Sequence, residues 1–414
     1  MTGKWRKTRL GDVALVSTGP FGSLLHKSDY TRHGVPLVNP INIQNERIVP
    51  DPAKLISEAI KKGLSNYVLE VGDVVVGRRG EIGRCAVVGP RESGWICGTG
   101  SFFVRPSPGL DPHFLANLLR SDGYRTTLEE ASTGATMSNL SNKVLGDLSV
   151  SVPPLPEQKR IVAILDEAFE GIDTAIANAK KNLASARELF DSYLNAVFSV
   201  AWESCEIVSL SDLATDITDG DHLPPPKAEV GIPFITIGNI DKKTRTIDFT
   251  GTFVVDNEYY NRLKFNRKPK TGDVLYTVTG SFGIPVIISD DFKFCFQRHI
   301  GLIRPKSETQ SRWLYYLLLS SQVFRQANEG ATGTAQKTVS LKLLRDLKVP
   351  RLPLSQQLSV VAILDSLAAE TAHLERVYRK KLDALMELKQ TILQNAFAGE
   401  LTARRVEAVP EAAE

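Results

Sequence analysis

Nowhere in this chain does an apolar run approach the roughly 20 residues that a bilayer-spanning helix needs. The basic opening, MTGKWRKTRLGDVALVSTG, lacks the apolar centre of a secretory leader. Cysteine is scarce. Cys85, Cys97, Cys205 and Cys295 are too dispersed for a zinc site or a disulfide framework, so reduced, buried thiols are expected, as in a cytoplasmic protein. The six histidines include no His-x-x-x-His or other metal spacing. There is no P-loop for nucleotide hydrolysis, and no Gly-x-Gly-x-x-Gly follows a strand to hold a methyl donor. Asn39-Pro40-Ile41-Asn42 begins like the Asn-Pro-Pro-aromatic motif of amino-methyltransferases but lacks its second proline and its ring. Asp290 and Asp291, ahead of Lys293, read as a solvated turn rather than a nuclease cluster. Nor does one charge dominate: 50 Lys and Arg against 47 Asp and Glu leave +3, which neither points to a nucleic-acid partner nor excludes one. No catalytic or metal site is expected.

What the chain does have is a long repeat. Residues 133–166 read TGATMSNLSNKVLGDLSVSVPPLPEQKRIVAILD, and residues 332–365 read TGTAQKTVSLKLLRDLKVPRLPLSQQLSVVAILD. At an offset of 199 without a gap, 16 of these 34 positions are identical, and a helical pattern follows each copy. A period this long implies two copies of a whole domain plus helix, not a solenoid. With 414 residues, two or three cores can form.

The framework of the repeat extends upstream. Val35-Pro36-Leu37-Val38 answers Ile232-Pro233-Phe234-Ile235, and both read as short strands. GDVVVGRRGEIGRCAVV (72–88) parallels GDVLYTVTGSFGIPVII (272–288), a strand, a glycine turn and a second strand. Strands at 102–105 and 302–304 are closed by Pro106 and Pro305, and short helices follow at 113–120 and 312–320. The fold class is α+β: two pseudo-symmetric strand-rich domains (1–151 and 200–348), two long spacer helices (152–199 and 349–400) and a disordered tail (401–414). The copies differ most at 19–34, 44–66, 91–101, 219–231 and 241–271, where different specificities can be carried.

Within the first long helix, apolar residues recur at Ile161, Leu165, Ala168, Ile172, Ala175, Ala179, Ala186, Leu189 and Tyr193. That spacing of fours and threes is a heptad seam, with Asn182 its one polar member. The second seam runs through Leu364, Leu367, Leu374, Tyr378, Leu385, Leu388 and Ile392 towards a stop at Gly399. Each helix of roughly 40 residues is about 60 Å long and needs a partner for its apolar stripe. Antiparallel pairing of the two gives an approximate two-fold axis, which suits a target with two half-sites.

The segments 153–158 and 352–357, each followed by Ile/Val-Val-Ala-Ile-Leu-Asp and a long helix, resemble the specificity (S) subunit of type I restriction–modification systems. The Gly-Asp-Val steps at 72–74 and 272–274 and the Thr-Gly segments before each helix belong to the same pattern, and the likeness covers nearly the whole chain. The second copy departs from it at Ser355 and Gln356, which implies a weaker helix start. The resemblance implies two target-recognition domains, each reading one half of an asymmetric, interrupted double-stranded DNA target. It implies helices that dock two modification (adenine-N6 methyltransferase) subunits, joined by restriction (translocase and endonuclease) subunits. It implies no chemistry in this subunit, with S-adenosylmethionine used by the modification subunits and ATP with Mg2+ by the restriction subunits.

Bases are read by Arg, Lys, Asn, Gln, Ser and Thr, and phosphates are held by Lys and Arg. In the first domain the candidates are Arg78 and Arg79 at the glycine turn, Ser101, Lys143 and the loop 21–27 with Lys27. Adjacent arginines beside a glycine turn have little structural use, which favours Arg78 and Arg79. In the second domain the candidates are Lys242, Lys243, Arg245, Thr279, Ser281, Gln297, Arg298 and His299. The bland alternative for each is a solvated charge or a turn-capping hydroxyl. Phe169, Phe190 and Phe198 are candidates to face outward from the helix towards partner subunits, with packing inside the protein as the alternative. Two other classes stay open: a protein scaffold without DNA, and a free-standing DNA methyltransferase or nuclease with degenerate motifs.

Overall fold

The computed structural model describes residues 5–21, 24–78, 83–133, 140–223, 225–333 and 336–403. The chain divides into two compact units, one of residues 1–180 with 380–414 and one of residues 181–379. Each unit takes part of both helices, because each strand-rich core is completed by apolar residues from both. The first core includes Ile161, Leu165 and Ile172 of the central helix (Leu155–Ser204) with Leu393 and Ala396 of the C-terminal helix (Leu354–Phe397). The second includes Leu194, Phe198 and Ala201 of the former with Val361 and Leu364 of the latter.

Both units contain an antiparallel four-stranded sheet of the same order. In the first it runs Ala14–Thr18, Ser101–Pro106, Val74–Gly77, Cys85–Val87. In the second it runs Ala214–Asp219, Ile300–Pro305, Val274–Thr277, Pro285–Ile287. The expected strand–turn–strand pairs are the two inner and edge strands here, and Pro106 and Pro305 end the strands they were expected to close. The short helices are Pro112–Arg120 and Ser311–Leu319. A further ladder ties each domain's first strand to the strand before its long helix: Arg6–Arg9 with Ser149–Val152, and Glu206–Ser209 with Lys348–Arg351. Ends that must leave a domain side by side are thereby held by main-chain bonds.

The Gly-Asp step has the same role twice. Gly72 and Gly272 adopt φ +89° and +88°, a region open to glycine at little cost. The following aspartates are almost wholly buried. Asp73 accepts from Glu70 N (2.8 Å) and, through both oxygens, from Arg105 Nε and Nη2 (2.8 Å each). Asp273 accepts from Lys270 N (3.0 Å) and from Arg304 Nε (2.9 Å) and Nη2 (2.7 Å). Two-point pairing on a planar guanidinium is what makes such a buried carboxylate tolerable.

The heptad seams hold only in part. Ile161, Leu165, Ile172, Ala179 and Ala186 are buried, but Leu189 and Tyr193 are exposed, and Leu194 and Phe198 take the inner positions instead. Past Ala186 the helix packs on the Ser311–Leu319 helix, with ring centroids 6.3 Å apart for both Phe190–Tyr316 and Phe198–Trp313. A straight helix against a globular core buries positions spaced nearer 3.6 than 3.5, so the stripe shifts by one residue. In the C-terminal helix Leu374 and Leu388 are likewise exposed, while Leu364, Leu393 and Ala396 are buried. In the second unit the two helices run antiparallel: Asn182 Nδ2 donates to Tyr378 OH (3.2 Å), and Arg187, further along one helix, pairs with Glu375, further back on the other. Gly399, at φ +81°, ends the C-terminal helix as expected. Glu400–Ala403 then forms one more helical turn, so the expected disordered tail does not begin at 401, and the rest of it lies outside the described residues.

Candidate nucleic-acid interface

In the first unit, three chain segments converge at one end of the sheet. The strand Val74–Gly77 runs out there into Arg78, Ser101–Pro106 begins there, and Ala14–Thr18 leaves through Gly19. Arg78 N donates to Gly100 O (3.0 Å) and Gly19 N to Ser101 O (3.0 Å). Gly19 is required because a Cβ would collide with the carbonyl of Gly98. The Arg78 guanidinium lies 4.5 Å over the Phe21 ring and 5.7 Å from that of Phe102, while its Nε donates to Leu140 O (2.7 Å). The expectation that Arg78 has little structural use is therefore corrected. It stacks on the variable loop and ties that loop to the chain entering the helix Asn142–Gly146. Lys143 is exposed on the first turn of that helix. Ser101 is completely buried and cannot reach a base, which corrects its candidacy. Lys27 begins a short 3-10 turn, Lys27–Asp29. Arg79 lies outside the described residues.

The corresponding end of the second sheet carries five of the remaining candidates. Val278 occupies the place of Arg78; its N–H donates to His299 O (2.9 Å) and its carbonyl accepts from Val339 N (2.8 Å). Thr279 bridges to Thr338, Gln297 to Asp221, and Arg298 N donates to Asp221 O (3.0 Å). Ser281 closes the turn through its carbonyl, which accepts from Thr277 Oγ1 (2.8 Å). Gly220 repeats the requirement at Gly19, since a Cβ there would meet Phe296 O. Burial and the neighbouring Arg298 lower the pKa of His299, favouring the neutral ring, which can both donate and accept.

A polar cluster borders this end that residue-by-residue reading missed. Arg267 spans Asp219 (3.2 Å) and Asp221 (3.5 Å), His222 Nε2 lies 2.9 Å from Asp219, and Tyr259 OH donates to Asp221 (2.5 Å). The signal available was the Asp-Gly-Asp-His run opening a variable stretch.

Lys242, Lys243 and Arg245 lie elsewhere. They sit on a hairpin whose turn is capped by Asp241, which accepts from Lys243 N (2.8 Å) and Thr244 N (2.7 Å). With Arg187, Arg376 and Arg379 of the long helices they line a groove of about 1370 Å3. Within it Glu375 is held by Arg187 (2.8 Å) and Arg379 (3.0 Å), and these charges draw its pKa down to about 2. In the first unit the turn between Ile43–Gln44 and Arg47–Ile48 instead presents an acid, Glu46, which pairs with Lys389 (3.0 Å) and Arg120 (3.1 Å). The candidates of the second domain thus fall into two sets, one at the sheet end and one on the groove.

The outward-facing role of the helix phenylalanines is corrected as well. Phe198 is completely buried, Phe169 nearly so, and Phe190 half-buried against the second core. Leu358, Ile363, Leu374, Val377, Met386 and Leu388 are exposed on the C-terminal helix instead. Among the described residues, no His, Cys, Asp and Glu gather in threes as metal ligands, and no helix is long and apolar enough to cross a membrane.

Comparison with known proteins agrees with the duplicated architecture. The family described as type I restriction modification DNA specificity domain matches residues 2–184 and again 202–383. The specificity subunit of the type I restriction enzyme EcoKI from Escherichia coli (strain K12) is 24% identical over 91% of this chain and 84% of its own. The StySPI specificity subunit of Salmonella potsdam is 23% identical over 89% and 83%. A solved structure from work on assembly and conformational transition of the type I R-M system superimposes with TM-score 0.74, at 23% identity over 96% of this chain and 98% of that one. The HsdS subunit of Thermoanaerobacter tengcongensis gives 0.56, at 23% identity over 96% and 97%.

Proposed function

The chain belongs to the type I restriction modification DNA specificity family, and on that footing we propose how it works. It is the DNA specificity subunit of a type I restriction–modification complex and reads a two-part target, one specificity domain to each half. The observation that carries this is the duplication: two matched domains, each with its own core and its own converging loops at one end of its own four-stranded sheet.

Base reading falls to the sheet-end loops. In the first unit Arg78 positions the loop carrying Phe21, and Arg79 and Lys143 approach the DNA. In the second, Thr279, Gln297, Arg298 and neutral His299 face the bases. Lys242, Lys243 and Arg245 hold phosphates, a role supported by the excess of cations around their groove. Methyl transfer and DNA cleavage belong to separate modification and restriction subunits, which use S-adenosylmethionine and ATP with Mg2+ respectively. Two modification subunits dock on the exposed apolar residues of the helices. The complex works in the cytoplasm.

Adenine methylation mapped across the source genome, with and without this gene, tests the reading. A split motif that loses methylation on both strands upon deletion supports it. An unchanged methylome, with the partner subunits present and active, refutes it.

A further inference from the structure

Two glutamines, 199 residues apart in sequence, have the same hydrogen bonds in both units. Gln158 Oε1 accepts from Asp111 N (2.7 Å), and its Nε2 donates to Gly109 O (2.9 Å) and Pro153 O (2.8 Å). Gln357 Oε1 accepts from Gln310 N (2.7 Å), and its Nε2 donates to Glu308 O (3.0 Å) and Leu352 O (2.8 Å). Both side chains are sealed from solvent, at 0% and 1% exposure. One acceptor and two donors on one planar amide are what this site demands. Glutamate has no donors to offer two carbonyls, and asparagine is one methylene too short.

All six partners are main-chain atoms, so the device persists although the residues supplying them differ between the copies. They come from two places. Gly109 and Asp111, like Glu308 and Gln310, lie between the last sheet strand and the domain's short helix. Pro153 and Leu352 lie where the chain enters the long helix. Each glutamine therefore joins a reading domain to the first turn of its own helix, and rotating one against the other would break several buried bonds together.

We propose that Gln158 and Gln357 are positioning residues for target recognition, each setting the angle at which one reading domain is held on its helix. They touch no DNA. Their consequence is the length of the unread gap between the two halves of the target, not the identity of the bases. This rests on the reading of the chain as a DNA specificity subunit.

The test uses the complete complex with its modification subunits. Methylation is measured on a target library in which half-site bases and gap length both vary. Gln158→Met and Gln357→Met are made separately, so that one clamp always remains, and Gln158→Asn is the milder variant, keeping an uncharged amide one methylene short of its partners. The expected result is unchanged base preference in both halves, with discrimination against gaps one base pair too long or short reduced between roughly twofold and tenfold. If methylation falls equally on all targets with gap discrimination intact in every variant that folds, the clamps serve stability alone and the proposal is overturned. If the unmodified complex shows no split target at all, the reading as a specificity subunit fails instead.

Discussion

Asp73 and Asp273 are nearly sealed from water, each against one arginine and one main-chain N–H. Replacing one carboxylate leaves a guanidinium without its main counter-charge in a poorly solvated place. Asp273→Asn is expected to destabilise the protein by about 3 kcal/mol, measured by urea unfolding. Glu375 makes a second, smaller prediction. Its pKa is drawn below the usual glutamate value by Arg187 and Arg379, to about 2. An acid depressed in the folded state adds stability that is fully present above its ordinary value of 4.5 and disappears as pH falls through 2. The advantage of the native protein over Glu375→Gln in urea midpoint is expected to shrink between those pH values. It is small even at neutral pH, because both arginines are more than a third exposed.

The long helices show how far periodicity can be trusted at the scale of an element. Heptad spacing ranks Leu189 as a seam residue and leaves Phe198 outside it, whereas the packed core reverses the two. Phe198→Ala is therefore expected to cost about 3–5 kcal/mol, and Leu189→Ala no more than about 0.5 kcal/mol. Thermal and urea unfolding of the pair would decide; equal costs would contradict the packing described. Existence, length class and approximate ends of both helices were legible, because prolines precede them and Gly399 terminates one. The burying face was not, because it depends on what lies opposite. Where the partner is a globular core rather than another helix, the stripe moves.

For the whole molecule, the duplication predicts separable readers. Exchanging residues 200–348 for those of another specificity subunit is expected to change one half of the methylated motif and leave the other. Lengthening both helices by about one turn, ~5.4 Å, is expected to lengthen the unread gap, as read from the methylome of the insertion strain. A constant gap would show that the helices do not set it.

Local chemistry in the sequence determined the α+β class, the two copies, the strand–glycine–strand pairs and the two helices. The elements depend on residues near one another in the chain, namely β-branched runs, prolines at strand ends and glycines at turns, and the two copies on a repeat that the sequence carries at an offset of 199. Tertiary structure alone decided which polar residues remain available for a ligand. Arg78 was absorbed by Phe21 and Leu140, Ser101 was buried, and Lys242, Lys243 and Arg245 were separated from Gln297 and His299. It also showed what the repeated Asp and Gln are for, since their partners lie 31–32 and 47–49 residues away, or on the main chain, where no side-chain pattern marks them. A side chain's reach is set by its own covalent structure, but whether it meets solvent, a carbonyl or a ring is set by the rest of the fold.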